Sequence, residues 1–185
     1  LDFLIDKPQK FEVAINTNLG VPDQLIDKLI DKINALEAVG MKVDVYTSAE
    51  ATDDQQNYAR DGMDYAVWMQ NVARILKETN STVAVMTTVN ILSLPSFADF
   101  VEDVMDLRKQ FNKSFEKNRI PLSINYLRWP QHLQCTLLDL ETRKHIADDI
   151  EILCETYLKY NTSEKYARLY LEEWDQIKRF CDYLR

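Results

Sequence analysis

The sequence predicts an α/β fold of four parallel βα units followed by a helical C-terminal cap. Four times a β-branched run of strand length is followed by an amphipathic segment of helical length, the alternation that produces parallel βαβ units. Right-handed crossovers then set consecutive strands side by side with the helices outside. After Trp129 and Pro130 the rhythm changes, and two more charged helical patterns, over 141–160 and 163–184, follow with no strand between them. Four units make half of an eight-stranded (β/α) barrel of the TIM type, or a small open sheet. A complete barrel takes on the order of 250 residues, and this chain has 185. The organisation expected is a β/α region over 1–130 and a helical extension over 131–185.

The first strand is FEVAINT, over 11–17, and it runs into a turn at Gly20. Pro22 with Asp23 suits a first helical turn. Leu25, Ile26, Leu29, Ile30, Ile33 and Leu36 then hold one apolar face at helical period, and Gly40 falls where a C-terminal cap belongs. The second strand, KVDVYTS over 42–48, is followed by a polar loop, EATDDQQNYARDG, and a helix over 63–77 with Trp68, Val72, Ile75 and Leu76 on its buried face. The third, TVAVMTTVN over 82–90, is nearly continuous in apolar and β-branched residues, as in a strand covered on both sides. Ser93 with Pro95, or Ser96 with Asp99, starts the next helix, carried by Phe97, Phe100, Val101, Val104 and Leu107. The fourth strand is PLSINYL, over 121–127.

Composition removes several function classes. A net charge of −8 and no clustered Lys and Arg leave no footprint for nucleic acid. No apolar run approaches the roughly 20 residues that span a bilayer, and the N-terminal LDFLIDKPQKF is too polar for a signal peptide. A cytoplasmic protein is expected. Cys135, Cys154 and Cys181 are widely spaced and read as small packed hydrophobes; with His132 and His145 the sole histidines, a His-rich metal site is excluded, though a carboxylate site is not.

Ligands of parallel β/α sheets bind at the C-terminal ends of the strands. Those ends carry Asn16, Thr17 and Asn18; Thr47, Ser48 and Glu50; Thr87, Thr88 and Asn90; and Asn125, Arg128 and Trp129. Most are hydroxyls and amides, which bind a polar organic ligand without burying net charge; singly, such residues also cap helices and shape turns. Arg60 and Arg128 each follow a strand and are candidate carboxylate receptors. Arg60 can instead pair with Asp61, Asp64 or Glu50, and Asp53 with Asp54 reads as a solvated turn. No Gly-rich phosphate loop, G-x-S-x-G elbow or Ser/His/Asp order is present, so demanding chemistry would need a cofactor.

In order, AINTNLG, VDVYTSAEA, YARDGMDYAVWMQNVARIL, VMTTVNILSLPSFADFV and INYLRWPQHL resemble the middle and later part of radical S-adenosylmethionine (SAM) enzymes of the twitch-domain type. The resemblance covers about residues 11–140. Thr17, Asn18 and the displaced Gly20 are similar to the family's Thr-Asn-Gly strand end, Ser48 to a serine near SAM, and Arg60, Asp61, Gly62, Trp68, Asn71 and Val72 to an Arg-Asp-Gly turn and its helix. Thr88, Val89 and Asn90 match an Asn-containing strand end. The resemblance implies a partial barrel with SAM contacts from Thr17, Asn18, Ser48, Glu50, Arg60, Thr88 and Asn90, and contacts from Asn125 and Arg128 to a small-molecule or peptide substrate. Ser48, Arg60, Thr88 and Asn90 are expected to share one pocket.

The family's C-x3-C-x2-C loop, whose thiolates hold a 4Fe-4S cluster, is absent, as is its Gly-Gly-Glu segment. Both would precede Leu1, which implies the C-terminal portion of such an enzyme, completed by a missing N-terminal part of the barrel or by another chain; a degenerate relative is the second account. The chain as it stands is expected neither to hold the cluster nor to cleave SAM, and half a barrel exposes apolar inner-face residues from AINT, VYTS and VMTTVN. The alternative function is a non-catalytic α/β binding or scaffold module with an acidic helical cap.

Overall fold

The structure, a computed structural model, describes residues 1–7, 11–112, 117–159 and 168–185. Its four strands, β1 (Val13–Asn16), β2 (Val43–Ser48), β3 (Thr82–Val89) and β4 (Leu122–Tyr126), form one sheet in chain order with every neighbouring pair parallel. The register sets Val13 opposite Val43, Val45 opposite Val83 and Val85 opposite Leu122. Because side chains alternate along a strand, one face collects these valines with Thr47, Val89 and Ile124, all buried under the helices. The other face carries Asn16, Tyr46, Ser48, Met86, Thr88 and Asn125, each at least partly exposed.

This face corrects two expectations. β3 is covered on one side, not both: Val83, Val85 and Val89 are fully buried while Met86 keeps 38% of its surface. Crossovers of one hand between strands in chain order place every helix on the same side, leaving none for the other. The expected exposure of apolar inner-face residues is also mostly absent. The valines of VDVYTS and VMTTVN point to the helices, and apart from Ala14, Ala84 and Met86 the open positions hold polar groups and Tyr46.

Between β1 and β2, α2 (Asp23–Ala38) begins after Pro22 and buries Ile26, Ile30, Ile33 and Leu36. Leu25, expected on that face, is exposed. Gly40, at φ +81°, takes the left-handed turn that releases the chain from the helix at little steric cost. Before it, α1 (Asp2–Asp6) packs on α2 through partly buried Leu4 and Ile5. The polar run after β2 is not all loop: it contains α3 (Asp53–Ala59), whose one buried residue is Gln56. A helix without an apolar stripe has no periodic signature, so hydropathy misses it.

Asp64 then caps α4 (Tyr65–Glu78) by accepting from Val67 N at 3.1 Å. Trp68, Val72, Ile75 and Leu76 are buried, and the indole of Trp68 donates to Thr47 Oγ1 on the covered face at 2.9 Å. A single 3-10 turn (Leu94–Ser96) leads from β3 into α5 (Phe97–Phe111), which buries all five expected apolar residues.

Beyond β4 come α6 (Leu140–Lys159) and α7 (Leu171–Leu184); the first residues of the pattern expected over 163–184 lie outside the described ones. α7 lies along β4. Glu173 accepts from Leu122 N at 2.9 Å and Gln176 from Ile124 N at 2.6 Å, so its side chains satisfy N–H groups that a fifth strand would otherwise take. Glu173 also receives Arg108 of α5, both side chains nearly sealed from solvent. Cys135, Cys154 and Cys181 are free and buried. Burial pushes the thiols of Cys135 and Cys181 up to about 12 and that of Cys154 higher still. No described helix is long and apolar enough to cross a membrane.

Candidate functional site at the C-terminal rim of the sheet

Register places the open-face side chains in rows across the strands. Ser48 pairs with Met86 and Met86 with Ser123; one step nearer the rim, Thr88 pairs with Asn125. Below them Asn16 pairs with Tyr46, and Tyr46 with Ala84. The rows nearest the rim therefore offer hydroxyls, an amide and a thioether. None carries charge, and hydroxyl and amide groups can both donate and accept.

The loop after β1 is held in an uncommon shape. Leu19 is fully buried at φ 52°, left-handed backbone that costs a non-glycine residue on the order of 1 kcal/mol. Asn71 of α4 holds the turn by donating from Nδ2 to Leu19 O at 2.8 Å and to Val21 O at 2.9 Å. Thr17 Oγ1 accepts from Leu19 N and Asn18 Oδ1 from Gly20 N, each at 3.2 Å, so both expected site residues also shape their own turn.

The loop after β2 is built around Gln56, a residue that sequence reading missed. Its Oε1 accepts from Glu50 N at 3.0 Å and Ala51 N at 2.8 Å. Glu50, 2% exposed, meets Arg60 in a two-pronged pair, Nε to Oε1 at 2.9 Å and Nη2 to Oε2 at 2.8 Å. Of the pairings open to Arg60, this is the one the fold makes. Thr52 N donates to Ser96 Oγ at 3.1 Å, tying the loop to the one after β3. There Asn90 Oδ1 accepts from Leu92 N and Ser93 Oγ from Asn90 N, each at 2.9 Å. Of four residues expected in one pocket, Ser48 and Thr88 share the open face, while Asn90 is turned into its own loop and Arg60 is held by Glu50.

After β4, Asn125 and Arg128 part company. Asn125 stands exposed on the open face. The guanidinium of Arg128 folds back over Tyr126, a residue of the opposite face, 5.0 Å from its ring centroid, and donates from Nη2 to Tyr126 Oη at 2.9 Å. Trp129 beside it is 75% exposed.

Chemically, the rim can hydrogen-bond a polar organic molecule against a stiff floor. A 4Fe-4S cluster needs gathered thiolates. The chain's three cysteines do not fit it: they are buried, and their proton-holding thiols lie beyond the strands. Among the described residues no three His, Cys, Asp or Glu side chains gather to hold a metal ion. No protein-family model matches the chain, and comparison with curated proteins and with solved structures found no match either.

Proposed function

We propose that this chain is part of a radical SAM enzyme and contributes loops that contact SAM and substrate at the C-terminal ends of its strands. What carries the reading is the one-sided sheet: parallel strands in chain order, helices on one face, and an open face whose rim is lined by Ser48, Thr88 and Asn125. This is how β/α sheets offer a ligand crevice. Ser48 and Thr88 would serve the hydroxyls of a ribose, and the Glu50–Arg60 pair with Gln56 keeps the loop after Ser48 in shape before a ligand arrives, which lowers the cost of binding. A bound cluster would supply the electron that cleaves SAM. Its ligands, and the strand that would pair with β1, belong in this reading to another part of the barrel or another chain. The substrate is a small molecule or peptide, and three free cysteines suit the cytoplasm.

The test is titration of the 15N-labelled chain with S-adenosylhomocysteine, followed by amide shifts. The resonances of Ser48, Glu50, Thr88 and Asn90 should move together. Because each hydroxyl bond contributes on the order of 1 kcal/mol, Ser48→Ala with Thr88→Val should weaken the response about tenfold or more. Shifts confined to α6 and α7, or none at millimolar ligand, would sink the proposal.

A further inference from the structure

Two arginines stand in the loops that leave the strands, and only one of them is already neutralised. Arg60 is spent on Glu50. Arg128 touches a phenol hydroxyl and the face of a ring, contacts that orient a guanidinium without compensating its charge, and among the described residues no carboxylate pairs with it.

The platform beneath Arg128 is braced. Tyr126 stacks on Tyr183 at 4.1 Å and on Phe180 at 5.8 Å, and Phe180 meets Phe97 edge-on at 5.6 Å. The backbone is pinned as well: Leu127 N donates to Val89 O at 2.8 Å, and Gln134 Nε2 donates to Arg128 O. A guanidinium so fixed has lost much of the rotamer freedom that binding would otherwise cost, and its planar fork matches a carboxylate with two parallel bonds. Trp129, the next residue in the chain, is exposed.

We infer that Arg128 anchors a carboxylate of the substrate, with Trp129 covering the apolar group that bears it. A single guanidinium balances one negative charge, which favours a carboxylate over a phosphate monoester carrying close to two. The inference rests on the proposed enzyme reading for a substrate's presence at this rim; the anion chemistry stands on Arg128 itself.

The probe is benzoate, with benzamide as its uncharged counterpart, titrated into the labelled chain while the Arg128 Nε–Hε resonance and Trp129 indole are followed. Benzoate should shift both and benzamide neither. Read at the Trp129 indole, which both variants keep, Arg128→Gln should abolish the response and Arg128→Lys, which keeps the charge but loses the fork, should weaken it about fivefold. Tyr126→Phe should weaken it too while leaving the charge in place. An equal response to benzamide, or an unchanged benzoate response in Arg128→Gln, overturns the anchor. The S-adenosylhomocysteine titration reads other residues: benzoate binding without it keeps the anchor and sinks the enzyme reading, and the reverse sinks the anchor alone.

Discussion

Glu173 and Arg108 form a buried polar knot. The Glu173 carboxylate accepts from Arg108 Nη1 and Nη2, from Leu122 N and from Tyr170 N, while Arg108 gives its remaining donors to the carbonyls of Ile120 and Arg168. Such a pair adds little net stability over apolar residues of the same shape, yet removing one partner strands a buried charge, at roughly 3–5 kcal/mol. Arg108→Met should therefore cost about that much in urea unfolding, and Glu173→Gln added to it should return part of the loss. A single variant within about 1 kcal/mol of the parent would show that Glu173 reaches water some other way. Sequence exposes such pairs only when they are local. Glu50 and Arg60, ten residues apart, were readable as one choice among a few, whereas Arg108 and Glu173, 65 apart, become neighbours only once α7 docks on β4. Gln56 was illegible for a related reason: the partners of its Oε1 are backbone N–H groups, which every residue but proline has.

At the scale of elements, the apolar stripes of α2, α4 and α5 and the valine-rich strands were legible because hydrophobic period depends on the covered face alone. α3 was hidden because it buries one amide. The edge role of α7 was hidden too, since Glu173 and Gln176 read as ordinary polar positions on a charged helix. Edge strands invite pairing with other chains unless covered. Here two side chains on one helix face cover alternate N–H groups of β4, Leu122 and Ile124. Gln176→Ala removes the partner of Ile124 N alone, so hydrogen exchange at Ile124 should accelerate about fivefold, the equivalent of one lost bond of near 1 kcal/mol, while Leu122 stays protected through Glu173. Unchanged exchange at Ile124 would mean that α7 covers the edge by bulk and not by hydrogen bonding.

For the molecule as a whole, the two edges of the sheet differ: β4 is sealed by α7, and β1 pairs on its outer side with no described strand. Val13 N donates to Lys42 O and Thr17 N to Tyr46 O on β2. The alternation of a parallel ladder then turns Ile15 N–H toward β2 and the N–H groups of Ala14 and Asn16 outward. Strand addition can therefore happen at β1, whether the incoming strand belongs to the rest of a barrel or to a second copy of the chain. Proline separates the two sides of the strand, because it removes one N–H and is tolerated where that N–H faces away from the ladder. Ala14→Pro should leave the urea midpoint close to the parent's and remove any association seen by light scattering at high concentration. Ile15→Pro, one residue along, should break the β1–β2 ladder and cost about 3 kcal/mol or more. Equal destabilisation by both would mean that β1 is paired or packed on its outer side. Association that survives Ala14→Pro would move the contact from the edge to the open face around Met86, the largest apolar group left uncovered there.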